Sequence, residues 1–454
     1  MRSLLCAGAL SLSLALAGHS AAANGRYPTA QFLVVGPGAG NQLLALQTTF
    51  GLVTSIDAGH TWHWVCEQGE GYAGMADPSL GLMRDGSLMI SLPDGLSLAP
   101  APYCNFARPA TAPTQLVVDV ANDPLGTRAV AGVTPLTGAN SVWITDDLGQ
   151  TWARGWSQTS IFIETIDIAP GHPSRMYISG YNSASLPTLF RSDDGGQTFA
   201  PTTTNVHGGY DAFIAGVDPS NPDVLYVRSD LSAGGTMLLR SSDAGVSFTI
   251  VATTAARMTG VALSPDGSHV WIAGRGGTDG VLRSDDQGLT FHRVAPPFTT
   301  LCLRFQNGVL YACADSATDG YALASSTDMG ATFTPILRFN DVLGPDNCAT
   351  GTPVNDRCSA LWPAQRNGLQ VDAGCQQDAA CSDAGPPDTG TMVDASASDI
   401  TAPADVGIDS TLPDAGATNR AGNCGCSVPS RSRTPQRIAL LAILGLLVLR
   451  RRHR

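Results

Sequence analysis

The chain has 454 residues, a formal charge of −12 and only 14% charged residues, enough for two or three ordinary domains or one large β architecture. Lysine is absent and glutamate occurs only at Glu67, Glu70 and Glu164, which excludes a Lys nucleophile and a phosphate-binding Lys. No basic patch forms, so nucleic acid is excluded as a partner, and 50 Gly with 29 Pro predict many turns and few long helices.

The first 23 residues read as a secretory signal peptide. Arg2 supplies the positive start, Leu4 to Ala17 is an apolar run too short to span a bilayer, and Ala21-Ala22-Ala23 offers the cleavage site. Cys6 falls in this discarded segment.

From there one phrase recurs: Ser-x-Asp-x-Gly-x-Thr-aromatic. Six copies carry acids at Asp57, Asp147, Asp194, Asp243, Asp286 and Asp328. Their glycines are Gly59, Gly149, Gly196, Gly245, Gly288 and Gly330, and their aromatics Trp62, Trp152, Phe199, Phe248, Phe291 and Phe333. The acids are separated by 90, 47, 49, 43 and 42 positions. The first gap is double, which predicts a decayed seventh copy, placed at "SLPDGLSL" around Asp94. Self-similarity at this period signals a propeller or solenoid. Each unit also holds apolar strands such as "VLYV" and "VWIAG", punctuated by Gly and Pro every ten or so residues. Four short strands per unit predict an all-β fold: a seven-bladed β-propeller of four-stranded antiparallel blades over residues 28–345. Ring closure is expected to pair the strand near Phe32 to Val35 with the last blade, because an open edge strand invites aggregation. No segment before Ile438 shows a capped helical period.

The phrase reads as a hairpin corner. Its Asp can accept from backbone N–H groups, its Gly can turn left-handed, and its aromatic can pack between sheets. A need repeated in every blade is structural, so none of the six acids is assigned to catalysis. The phrase resembles the Asp-box, or bacterial neuraminidase repeat, of sialidases, sortilin-type receptors and xyloglucan-degrading glycosidases, over roughly Gln31 to Asn340. That resemblance implies a propeller with the repeats at the blade periphery, away from any active site, and says little about activity.

The resemblance to sialidases also implies an Arg-Ile-Pro stretch ahead of the first repeat, where this chain has only "GRYPTAQF". Glu164 near Tyr181 or Tyr210 is a weak stand-in for a Tyr–Glu pair. A glycoside hydrolase needs two carboxylates ~5 Å or ~6.5–9.5 Å apart, and Asp167, Asp211 and Asp218 lie outside the corners. His60 and His63 flank a corner and are not read as metal ligands; no cofactor or metal is expected. Trp64, Tyr72, Trp156, Tyr181 and Tyr210 are candidates for a glycan- or protein-binding surface. The reading is a non-catalytic recognition or adhesion module, with a secreted glycoside hydrolase using channel Asp carboxylates as the alternative.

An even set of cysteines in an exported chain reads as disulfides: Cys66, Cys104, Cys302, Cys313, Cys348, Cys358, Cys375 and Cys381. In "CLRFQNGVLYAC" an Asn307-Gly308 turn places Cys302 opposite Cys313. Proximity suggests Cys66–Cys104, Cys348–Cys358 and Cys375–Cys381 for the rest.

Residues 346–370 are expected to pack on the propeller as a Cys-containing extension. Residues 371–422 are Asp, Ala, Gly, Pro, Ser and Thr with almost no bulky apolar side chains, which predicts a disordered spacer. Residues 423–454 hold Cys424 and Cys426, a short hydrophobic helix at Ile438 to Leu449, and a terminal Arg cluster. The apolar run is short of a stable span. The three parts resemble the MYXO-CTERM sorting signal of myxobacterial surface proteins. That resemblance implies export, cleavage by a C-terminal sorting protease, and outer-membrane attachment at the cell surface, by lipid on Cys424 or Cys426.

Overall fold

Alternating β-branched, aromatic and polar residues between Gly and Pro turns form short strands throughout. The computed structural model describes residues 26–371, apart from 75, 203–204, 277 and 297. Seven antiparallel sheets follow one another in chain order: blade 1 (30–65), blade 2 (80–99), blade 3 (117–158), blade 4 (161–201), blade 5 (213–254), blade 6 (258–295) and blade 7 (300–337). Six have four strands and blade 2 has three. The first strands stand side by side around the axis, and the circle closes where Ala30–Val35 of blade 1 meets Thr300–Gln306 of blade 7. The predicted signal peptide, the spacer, Cys375, Cys381, Cys424, Cys426 and the hydrophobic run at Ile438 lie outside the described residues.

Antiparallel alternation sorts the loops. Turns between first and second strands, and between third and fourth, share one face with the acid corners; this is the corner face. Hairpins between second and third strands and all blade-to-blade links emerge on the other, the loop face. Six of the seven first strands carry a register shift against their second strand, at 30/32, 117/119, 163/165, 214/216, 258/260 and 300/302. Such bulges twist and re-aim a strand. Glu164 is the extra residue of the blade 4 shift.

Between blades the packing is apolar and carries a repeated polar latch. The second strands present Tyr177, Tyr226, Trp271 and Tyr311 at equivalent positions, each nearly or wholly buried. Tyr177 donates to Pro222 O at 2.7 Å, Tyr226 to Gln287 O at 2.7 Å, and Trp271 Nε1–H to Met329 O at 2.9 Å, always on the following blade. Tyr311 completes the circle by accepting from Asn41 Nδ2 of blade 1 at 3.0 Å.

Closure differs from the expectation. Phe32 to Val35 belong to the first strand of blade 1, which pairs with Leu44–Thr48 of its own sheet. The chain leaving blade 7 instead clasps blade 1 from outside. Leu343 N–H donates to Trp62 O at 3.0 Å, and Trp64 N–H to Gly344 O at 2.7 Å, so residues 343–344 cap the outermost strand. Phe50 meets Phe339 edge to face at 5.0 Å, and Trp64 meets Trp362 at 5.5 Å.

This clasp explains the disulfides. Cys302–Cys313 forms across its hairpin as the turn arithmetic requires. Cys66 pairs with Cys358 rather than Cys104, and Cys104 pairs with Cys348, which in turn is not bonded to Cys358. Sequence proximity fails because the extension folds back over blades 1 and 2, bringing residues 292 and 244 positions apart together. The extension is also helical, over Ser359–Val371, where no helix was expected. With the preceding turn, Val354, Cys358, Leu361, Trp362, Gln365 and Leu369 recur at helical spacing along the face turned to the propeller. Pro363 and Gly368 obscure that period, and packing with the Cys66 bridge outweighs their weak propensity.

Blade 2 corrects the decayed repeat. Asp94 lies in the hairpin between second and third strands (Leu88–Leu92 and Gly95–Ala99), on the loop face. The corner slot after Ala99 is filled by Pro100 to Cys104, with Tyr103 wholly buried and its hydroxyl bonded to Gly86 O at 3.2 Å. A single bridge, Leu98 to Ala107, stands in for the fourth strand.

Candidate functional site

The six acid corners share one geometry. The Ser or Thr hydroxyl opening the phrase donates to Asp Oδ1 at 2.6–2.8 Å and accepts from the Gly N–H at 2.8–3.0 Å. The closing Thr or Ser donates its N–H to Oδ1 at 2.8–2.9 Å and its hydroxyl to Oδ2 at 2.5–2.6 Å. Ala58, Leu148, Ala244, Gln287 and Met329 take a left-handed φ of 60–61° just before the left-handed Gly. These are strained for non-glycine residues and are held by the surrounding bonds. The corners lie between third and fourth strands on the corner face, one in each blade except blade 2, and do not meet. Trp62 and Trp152 donate Nε1–H to Gly59 O and Gly149 O at 3.0 and 2.9 Å, and Phe199 and Phe248 are buried, while Phe291 and Phe333 are half-buried.

Asp218 caps its own turn and packs closely on the next blade. It accepts from Ser220 N–H and Oγ–H at 2.8 and 2.7 Å, and a Cβ on Gly267 of the next blade would lie 2.3 Å from its carboxylate. Asp123, in the matching turn of blade 3, accepts from Gly171 N–H of blade 4 at 3.1 Å. Asp123-Pro124 and Asp218-Pro219 were a sequence signal for this second blade-to-blade contact. Asp211, at the loop face, accepts from Asp230 N–H at 2.6 Å, and Asp230 is ion-paired to Arg257 at 3.0 Å.

Charge collects in the channel. Asp119 of blade 3 accepts from Ser79 Oγ–H of blade 2 at 2.6 Å, Val120 N–H at 2.9 Å and Ile166 N–H of blade 4 at 2.9 Å, so one carboxylate ties three blades. Asp167 of blade 4 accepts from Ile168 N–H at 2.8 Å. Arg304 enters from blade 7, on the opposite side of the ring. All three keep some surface to the channel yet are enclosed by protein elsewhere. Burial raises Asp119 to about 6, and burial with the Asp119 charge raises Asp167 to about 7. Burial pulls the Arg304 guanidinium down, opposed by Asp167. Sequence reasoning reached Asp167 but missed Asp119 and Arg304, which lie in ordinary strands with no motif.

The other two glutamates sit together in a helical turn, Glu67–Glu70, after blade 1. Glu70 is fully buried, and burial followed by the Glu67 charge holds it well above the usual carboxylate range. Beside it lies a shallow open depression bounded by Gln68, Tyr72, Arg357 and Leu361.

The proposed aromatic surface is largely internal. Trp64, Tyr72 and Tyr181 are buried and Trp156 packs on Phe190 and Phe199; Tyr210 alone of the five is exposed, at 56%. Phe32 and Phe162, near the start of the first strands of blades 1 and 4, are also exposed. His60 and His63 join no cluster of metal ligands among the described residues.

Opposed shifts predict a two-limbed pH dependence. The Thr198 hydroxyl and N–H hold Asp194 down at about 2, and those of Thr332 hold Asp328 at about 2. An unfolded Asp titrates at about 3.9, so the corners contribute stability above that pH and lose it as pH falls through about 2. Asp119 and Asp167 are raised, so the folded state holds their protons more tightly, and stability declines as pH rises through about 6 and 7. The melting temperature should peak at about pH 4 and decline toward about pH 7, with that decline flattened in Asp167→Asn. A melting temperature that climbs steadily from pH 5 to 8 contradicts this.

No protein-family model matches the chain, and no curated protein matches it. Solved structures similar to it include Kuenenia stuttgartiensis hydrazine synthase, at 12% identity over 66% of this chain and 95% of that one, with a TM-score of 0.47. U3-55K matches at 12% identity over 64% and 90%, with a TM-score of 0.48. A Niastella koreensis GH74 enzyme matches at 16% identity over 68% and 56%, with a TM-score of 0.31. These are likenesses of fold among enzymes and non-enzymes, and none carries an activity to this chain.

Proposed function

We propose that the chain is an exported cell-surface propeller, a recognition or adhesion module that binds its ligand on the loop face without turning it over and is tethered through its C-terminus. The observation carrying the non-catalytic reading is the commitment of the acids. Every corner carboxylate is saturated by local donors, Asp119 is consumed in a tie between blades, and Asp218 is committed to its own turn. The corner geometry suits the Asp-box resemblance, and the tail's resemblance to the MYXO-CTERM signal supplies the tether. The extension that closes the ring also ends where the spacer begins, so the ring is joined to its stalk by a covalent clasp.

A second reading has one observation in its favour. Asp119 and Asp167 are adjacent, enclosed and both raised, the condition of a carboxylic acid able to deliver a proton. In that reading Asp167 is the general acid of a glycoside hydrolase. The full chain should bind a subset of a glycan array or retain a cell-adhesion activity while releasing no reducing sugar from the same glycans. Hydrolysis abolished by Asp167→Asn would replace the module with the enzyme. Absence of both binding and adhesion would reject the recognition reading.

A further inference from the structure

The register identifies one level of the channel in all seven blades. It is the first-strand residue opposite the position that holds Tyr177, Tyr226, Trp271 and Tyr311. Its occupants are Val34, Gly81, Ala121, Asp167, Gly216, Ala262 and Arg304. Five are small or apolar. The two charged ones have opposite signs and come from blades 4 and 7, across the axis.

Yet they do not close on each other. Arg304 makes no hydrogen bond or ion pair among the described residues, and its Nε is sealed from solvent without a partner. Asp167 acts on it at a distance. Asp167 has one oxygen on the Ile168 N–H, and no hydrogen bond is made to the other. An enclosed guanidinium with idle donors is costly, and a fold that needed only a structural pair would bring the two into contact.

We propose that Arg304 and Asp167 form the floor of a ligand site in the axial channel that takes a vicinal diol of a terminal sugar residue. This rests on the recognition reading above. A guanidinium only donates and a carboxylate accepts, whereas a hydroxyl does both. Adjacent hydroxyls therefore serve both groups without adding charge to an enclosed lumen, where charge is expensive. An anionic group would satisfy Arg304 but meet Asp167 and Asp119; an ammonium would satisfy the acids but meet Arg304. Phe32 and Phe162, 43% and 48% exposed near the start of the first strands, offer flat apolar faces to a sugar ring.

The test compares the full chain with Arg304→Met and Asp167→Asn on one glycan array, followed by competition with methyl glycosides that keep or lack the adjacent hydroxyl. Binding should fall at least tenfold in both variants, Arg304→Lys should recover part of it, and the deoxy glycoside should fail to compete. Melting curves check that each variant is folded, and the near-isosteric Asp167→Asn decides if Arg304→Met unfolds. Unchanged glycan binding in folded Asp167→Asn overturns the site and leaves the recognition reading intact. No glycan binding by the native chain while adhesion persists overturns the diol assignment alone; loss of both rejects the reading beneath it.

Discussion

Reducing the Cys66–Cys358 and Cys104–Cys348 bridges should lower the melting temperature by roughly 5–15 °C and loosen the ring at one place, the seam between blades 7 and 1. Each cross-link closes a very long stretch of chain, 292 and 244 residues apart in sequence. A link of that span restricts the unfolded chain strongly, at ~2–5 kcal/mol, though the two are nested and their contributions do not add. Cys302–Cys313 spans 11 residues inside a hairpin already held by its own ladder, so its loss should matter far less. Hydrogen exchange of the reduced protein reads the location. Protection should fall in residues 30–65 and 300–337 and in the helix Ser359–Val371, and stay high in blades 4 and 5. The Cys66→Ala and Cys358→Ala double variant provides the same comparison without reductant. A uniform loss of protection around the ring would show that the clasp is not the closing element.

The seam is weak for a reason visible in the topology. Blade 1 is complete within residues 30–65, so no strand is exchanged between the chain ends. Closure relies on first-strand packing, the Asn41–Tyr311 hydrogen bond, the pairing at residues 343–344 and the two bridges.

How much of this was legible in the sequence follows from the range of each interaction. The corners were readable because their bonds lie within eight residues: Ser192 to Asp194, Asp194 to Thr198, Gly196 back to Ser192. Cys302–Cys313 was readable because a two-residue turn fixes its register. Cys66–Cys358 was not, because it depends on where a segment lands after a whole circuit of the ring. Asp94 misled because an Asp-Gly pair marks any tight turn, and spacing alone did not distinguish the loop-face hairpin from the corner. Arg304 and Asp167 carry no local pattern; only the ring places them opposite each other. Aromatics were the least readable, since Trp64 and Tyr181 have the composition of a binding surface and the burial of a core.

The largest single-residue loss should come from Trp271→Ala, at about 3–5 kcal/mol. Trp271 is wholly buried, stacks on Phe305 of blade 7 at 4.7 Å with the rings 15° apart, and donates Nε1–H to Met329 O in the blade 7 corner. Its truncation leaves a void between two blades, and backbone on either side cannot collapse into it without breaking a ladder. Trp271→Phe separates the two contributions. It keeps most of the stack and loses the hydrogen bond, which Arg283 Nη1 at 3.4 Å from Met329 O only partly replaces, so the cost should be about 1–2 kcal/mol. Denaturant unfolding of the two variants measures the difference. Equal losses in Trp271→Ala and Trp271→Phe would mean that the latch, rather than the stacked ring, carries the inter-blade stability. The matching change in blade 5, Tyr226→Phe, then becomes informative, because Tyr226 grips Gln287 O through the same position with a hydroxyl in place of an indole.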